Sequence, residues 1–183
     1  VVCMDTNALH CADAREDCTK IVYGNGLEAR NIQRCGMDGR QGALAITEND
    51  EVNYLFLQKV KSETRGVDLC SAIKIEAGSI TPAMLHQMGF GLLFGASVDV
   101  DLWNRRFKAN QVCLNLWNVE EEKPGAPSIP VGTSGYSGRG LLKTILKRGG
   151  KAGPVEDRLK YKKGDEIYVF VYEPEKDAVR TFL

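Results

Sequence analysis

The cysteines constrain this chain more than any other feature, because a thiol that pairs, binds metal or attacks a substrate forces the fold to be built around it. Cys3, Cys11, Cys18, Cys35 and Cys70 fall in the first seventy residues, and Cys113 stands apart. Zinc ligands come in close pairs such as C-x2-C, since a short loop must present two donors to one tetrahedral ion. No two cysteines are that close, so no metal site is expected. A cysteine nucleophile needs a base, and the chain offers only His10 and His86, neither matched to a thiol by its position. An even count gathered at one end fits disulfides formed in an oxidising compartment, with the connectivity left open.

The pattern around these cysteines suggests what they would staple. Cys11, Ala14, Cys18, Ile21 and Val22 recur at helical spacing, with Asp13, Arg15, Glu16, Asp17 and Lys20 between them. This predicts an amphipathic helix over 11–22 with two cysteines on its buried face, ended by Gly24-Asn25-Gly26. The segment 27–35 is loop or short strand. Runs at 43–47, 52–60 and 67–75 are rich in strand formers and separated by polar turns, which predicts antiparallel hairpins. Thr81 and Pro82 are suited to the cap and first position of a short helix, and glycines at 89 and 91 close it.

A domain boundary is placed there, giving a cysteine-rich helix-plus-β domain over 1–88 and a β-sandwich domain over 89–183. In the second domain, 92–103 and 111–119 read as strands. Val98, Val100 and Leu102 alternate with Ser97, Asp99 and Asp101. The Pro- and Gly-rich stretch 120–140 is a surface loop, too long for a tight turn. Residues 141–150 suit helix or strand. Ile167, Val169 and Val171 alternate with Tyr168, Phe170 and Tyr172, so this strand is apolar on both sides, as in the centre of a sandwich. The expected fold class is α+β, mostly β: a small disulfide-rich helix-plus-strands unit followed by an antiparallel β-sandwich.

Lys plus Arg equals Asp plus Glu, at 24 each, so nothing draws the whole chain to DNA or an anionic membrane. The longest nearly apolar run, 89–98, is about half the ~20 residues of a membrane-spanning helix, so no transmembrane segment is expected. A start at Val1, without an initiator Met or leader, predicts a processed secreted chain. Arg139, Lys143, Lys147, Arg148 and Lys151 form a candidate patch for an anionic ligand, with Tyr136 and Tyr161 nearby for stacking. The stretch VGTSGYSGRG matches neither a P-loop nor a dinucleotide fingerprint. Glu120, Glu121 and Glu122 are consecutive acids that point different ways, expected in a solvated loop. Lys163-Gly164-Asp165 reads as a turn into a strand. No catalytic residue and no cofactor is expected.

A cysteine-rich helix-plus-strands unit carrying Cys3, Cys11, Cys18, Cys35 and Cys70, followed by a cysteine-poor β-sandwich, resembles the dual-domain secreted effectors of Fusarium wilt fungi, the FOLD family. The resemblance is architectural and spans the whole chain. It implies a non-enzymatic, monomeric virulence protein secreted into the host apoplast, with uptake into host cells open. It also implies action by binding host plant molecules and recognition by plant immune receptors. The alternatives from other classes are a secreted enzyme, a glycan hydrolase or ADP-ribosyltransferase-like toxin using the 120–140 loop, and a glycan- or lipid-binding module using the basic patch.

Overall fold

A computed structural model of the chain describes residues 1–17, 19–74, 79–119 and 140–176. Its first part is built from parallel βαβ units. Strand β1 (Cys3–Asp5), helix α1 (Ala8–Glu16) and strand β2 (Ile21–Tyr23) form the first, with Asp5 opposite Tyr23 at the carboxyl end of a parallel pair. Helix α2 (Ala29–Arg34) leads to β3 (Gly42–Ala45), α3 (Asp50–Glu63), β4 (Asp68–Ser71), α4 (Pro82–Gln87) and β5 (Gly91–Leu92). The strands β3, β4 and β5 lie side by side in that order, all parallel. Helix α5 (Val100–Lys108) then leads into β6 (Val112–Asn118), β7 (Leu141–Arg148), β8 (Lys151–Pro154) and β9 (Glu166–Tyr172), an antiparallel sheet in the order β6-β9-β7-β8.

This corrects the expected fold class in both halves. Residues 52–60 have strand composition but lie in α3. The Asn49 side chain accepts the Val52 N–H (2.9 Å), Asp50 and Glu51 occupy the first turn, and Asn53, Leu57 and Val60 are buried at helical spacing. Capping and one buried stripe outweigh β propensity, which is a weak preference. Residues 100–103 are likewise helical. Asp99 caps the Leu102 N–H (3.0 Å), and the buried residues are Val100, Trp103 and Arg106, a period the alternation at 98–102 concealed. The expected helix over 11–22 is divided between α1 and β2, and 29–34 is helix where a loop or strand was expected. Thr81 and Pro82 do start α4, the Thr81 hydroxyl accepting the Met84 N–H (3.3 Å).

The apolar two-sidedness of β9 has a different cause from a sandwich. Ile167, Val169 and Val171 pack with Leu141, Leu146, Val155 and Tyr161. Phe170 and Tyr172, on the other face, pack with Trp103 and Val98 at α5. A connecting segment covers one side and a helix covers part of the other. The sequence also reads as a second apolar strand after the Glu-Pro-Glu-Lys-Asp turn at 173–177, and residues 177–183 lie outside the described residues.

The disulfide expectation is also corrected. Cys3, Cys11, Cys35, Cys70 and Cys113 are free thiols, and Cys18 lies outside the described residues. Cys11, Cys35 and Cys70 are buried and act as small hydrophobes. The Cys11 thiol donates to the Asp5 carbonyl (3.6 Å) and the Cys113 thiol to that of Val171 (3.7 Å). Burial, reinforced by the Glu156 carboxylate, pushes the Cys70 thiol up to about 11. With these five thiols unpaired, the staples inferred from cysteine count are absent among the described residues, and the reading of an oxidising compartment loses its basis.

One buried polar residue fastens the parallel sheet to α3. Asn53, 1% exposed, accepts from the Thr47 N–H (2.9 Å) and hydroxyl (2.7 Å) and donates to the carbonyls of Thr47 (3.0 Å) and Ala72 (3.1 Å). Its amide thereby ties the exit of β3 to the exit of β4, and every bond it makes is satisfied internally.

Candidate ligand site at the carboxyl ends of β1 and β2

The chain turns sharply where β2 ends. The Gly24 N–H donates to the Asp5 carbonyl (3.0 Å), and Asn25 closes the turn by accepting the Leu27 N–H on its side chain (2.9 Å) and the Glu28 N–H on its carbonyl (3.2 Å). A Cβ at Gly24 would sit 2.5 Å from Asn31 Nδ2, so only glycine lets α2 approach this closely. Asn31 is 3% exposed and donates to the Asn25 carbonyl (2.9 Å). The turn, the end of β1 and α2 enclose a surface crevice of about 660 Å³ lined by Thr6, Tyr23, Asn25, Glu28, Arg30 and Arg34 among others.

The charges in the crevice are ordered by local bonds. Arg30 pairs with Glu28 (Nε to Oε2, 2.7 Å), and Arg34 donates to the Asn31 side-chain carbonyl (3.2 Å). Arg30 alone meets the carboxylate, and Arg34 is aimed by a neutral amide. Tyr23 also lines the crevice and is 52% exposed. Behind α2, burial raises the Cys35 thiol despite Arg40 and Arg34 nearby. Parallel α/β sheets bind ligands in such crevices outside the carboxyl ends of their strands, where the loops are free to carry side chains.

The residues singled out from sequence lie elsewhere. Glu120–Glu122, Tyr136 and Arg139 are outside the described residues. Lys143 is buried on β7, Lys147 pairs with Glu166 (2.9 Å), Arg148 pairs with Asp165 (2.6 Å), and Lys151 is exposed at the β7–β8 turn. Of the described members of the basic patch, Lys151 alone is an exposed cation without an ion pair among the described residues. Asp165 of the Lys-Gly-Asp turn is buried under Arg148. The residues of the crevice were missed, although Ile21-Val22-Tyr23 followed by Gly24-Asn25-Gly26 and a basic helix is legible as strand, turn and helix.

Lys143 makes a prediction of its own. It is 7% exposed, its ammonium lies over the Tyr161 ring (5.8 Å), and no carboxylate pairs with it among the described residues. Burial lowers its pKa, so the folded chain holds this proton less tightly than the unfolded chain does. Stability therefore rises with pH from the depressed folded value up to the ordinary lysine range. Lys143→Met is expected to stabilise the fold at neutral pH by about 1 kcal/mol and to flatten that part of the pH profile. Urea unfolding of both proteins at pH 7 and pH 10 checks it; a less stable variant would mean that the ammonium is satisfied.

No family model matches the chain, and no curated protein does. Among solved structures, similarity is found to a crystal structure of the GsuK RCK domain (9% identity, TM-score 0.38, covering 99% of this chain and 45% of that one). The GsuK channel follows (14%, 0.43, 99% and 34%), with the human SLO3 gating ring beside it (10%, 0.34, 98% and 40%). The chain spans less than half the length of each.

What can be stated is a class: a parallel α/β lobe with a polar crevice at its strand ends, joined to an antiparallel sheet. The secreted-effector reading, its apoplastic location and its plant-receptor partner are withdrawn. They stood on a stapled unit of antiparallel strands, and the chain has free thiols in parallel βαβ units instead. Among the described residues no helix is long and apolar enough to cross a membrane.

Proposed function

We propose that this chain is a non-enzymatic regulatory module that binds a small anionic ligand of the nucleotide class in the crevice between β1, β2 and α2. The observation that carries this reading is the convergence of Arg30, Arg34 and the exposed Tyr23 ring on one crevice at the ends of parallel strands. Guanidinium groups suit phosphate oxygens, and the ring suits a base. His10 lies 3.3 Å from Asp5 and His86 lies 2.6 Å from Asp157, so each imidazole faces a carboxylate and not a thiol.

Calorimetric titration of the full chain with AMP, ADP and NAD tests the reading. Binding of at least one is expected, with Arg34→Glu weakening it about tenfold or more and Gly24→Ala weakening it by displacing Asn31. At a hundredfold excess over Kd the ligand should add about 2.7 kcal/mol to stability. Absence of binding by all three, or equal binding by Arg34→Glu, overturns the proposal.

A further inference from the structure

The two lobes meet along the free edge of β5, and one carboxylate holds the junction. The segment 155–157 runs antiparallel to the residues that follow β5. The Phe94 N–H donates to the Val155 carbonyl (2.7 Å), Leu93 bridges Glu156, and the Asp157 N–H donates to the Leu92 carbonyl (3.0 Å). The Asp157 side chain reaches two elements at once. Its Oδ1 accepts the Leu92 N–H (2.9 Å), and its Oδ2 lies 2.6 Å from His86 Nε2 on α4. Since β5 is only two residues long, few other backbone bonds reinforce this docking.

The His86 side chain is 41% exposed and the Asp157 side chain 18%, so protons reach the imidazole while the carboxylate is largely shielded. The other charged and titratable groups at the junction come from three elements. Glu156 and Arg158 pair with each other (3.2 Å) on the same connection. Lys61 of α3 donates to the Met88 carbonyl (2.7 Å) just beyond α4. Asp68 and Cys70 lie on β4, where Glu156 and Arg158 act on the Cys70 thiol. Glu156 and Lys61 are engaged elsewhere, which leaves Asp157 as the carboxylate that meets His86.

We propose that His86 and Asp157 form a proton-operated latch between the two lobes. The imidazolium holds Asp157 against both α4 and β5. Imidazoles change charge between about pH 5 and 8, and deprotonation leaves a neutral imidazole against the Asp157 carboxylate, so the ion pair is lost while a weaker N–H to carboxylate bond remains. Docking of 155–157 on β5 is then tighter at acidic pH and looser above neutrality. The latch does not depend on what occupies the crevice at β1 and β2.

Amide hydrogen exchange of the full chain, expressed as protection factors at each pH, tests this. Protection of the Leu92, Phe94 and Asp157 amides is expected to fall about threefold between pH 5.5 and 8.5, with the α3 amides of Leu57 and Val60 unchanged. His86→Gln keeps a side-chain donor but cannot take the charge, and its protection should be independent of pH. Asp157→Asn, which keeps an acceptor for the Leu92 N–H, should be flat as well and serves if the first variant fails to fold. A wild-type profile without this slope, or the same slope in either variant, overturns the latch.

Discussion

Arg148→Ala is expected to lower the stability of the folded chain by about 3 kcal/mol, because it leaves a buried carboxylate alone. The Asp165 side chain is 2% exposed and accepts from Arg148 Nε (2.7 Å), Arg148 Nη2 (2.6 Å) and the Lys162 N–H (2.8 Å). Arg148 also donates to the Lys160 carbonyl (2.8 Å), so one guanidinium ties β7 to both sides of the turn that enters β9. Most of the expected loss is the cost of stranding Asp165, not the worth of the pair. The double variant Arg148→Ala/Asp165→Ala should therefore recover part of it, and urea unfolding of the single and double variants measures the difference. A loss under about 1 kcal/mol in Arg148→Ala would mean that water reaches Asp165.

The same pair sets a pH dependence whose sign follows from its geometry. The Arg148 guanidinium holds the Asp165 carboxyl below the usual carboxylate range. A carboxyl with a depressed folded pKa adds stability that is fully present above its unfolded value and is lost as pH falls through the folded one. In Arg148→Ala burial acts unopposed by the guanidinium, so acid unfolding should begin at higher pH than in the parent.

Phe90→Ala is expected to cost about 3 to 5 kcal/mol, the range for emptying a fully buried aromatic site. Phe90 is 0% exposed and sits in the core of the parallel lobe with Leu57, Leu85 and Leu92. Its ring meets Tyr54 edge-on with centroids 6.0 Å apart, and the Lys61 ammonium lies 5.7 Å from its centre. It thereby joins α3, α4 and β5, the elements that carry the junction with the antiparallel lobe. Phe90→Leu, which keeps most of the volume, should cost about 1.5 kcal/mol. Chemical denaturation that found the two variants equal would show that the cavity collapses.

Several strands were legible because their signal is local. The apolar run at 43–47 overlaps β3, and those at 67–75, 111–119 and 166–172 contain β4, β6 and β9. Thr81 and Pro82 marked the start of α4 through cap and first-turn chemistry that acts within four residues. Residues 52–60 and 98–103 failed for a related reason. In each, β-branched and aromatic residues satisfied two periods at once, and the deciding stripe, Asn53-Leu57-Val60 or Val100-Trp103-Arg106, shows only in what is buried.

The sequence by itself determined where apolar runs lie, where several turns fall and which residue types could cap a helix, since these depend on neighbours along the chain. Only the tertiary structure decided that the first strands run parallel, because a strand does not encode the direction of its partner. It also decided that five cysteines stay free, because pairing requires two Cβ atoms to meet in space and not merely an even count. The crevice belongs to the same category. Tyr23, Arg30 and Arg34 line one crevice because Gly24 lets Asn31 of α2 approach the turn after β2, a contact set by packing and not by spacing along the chain.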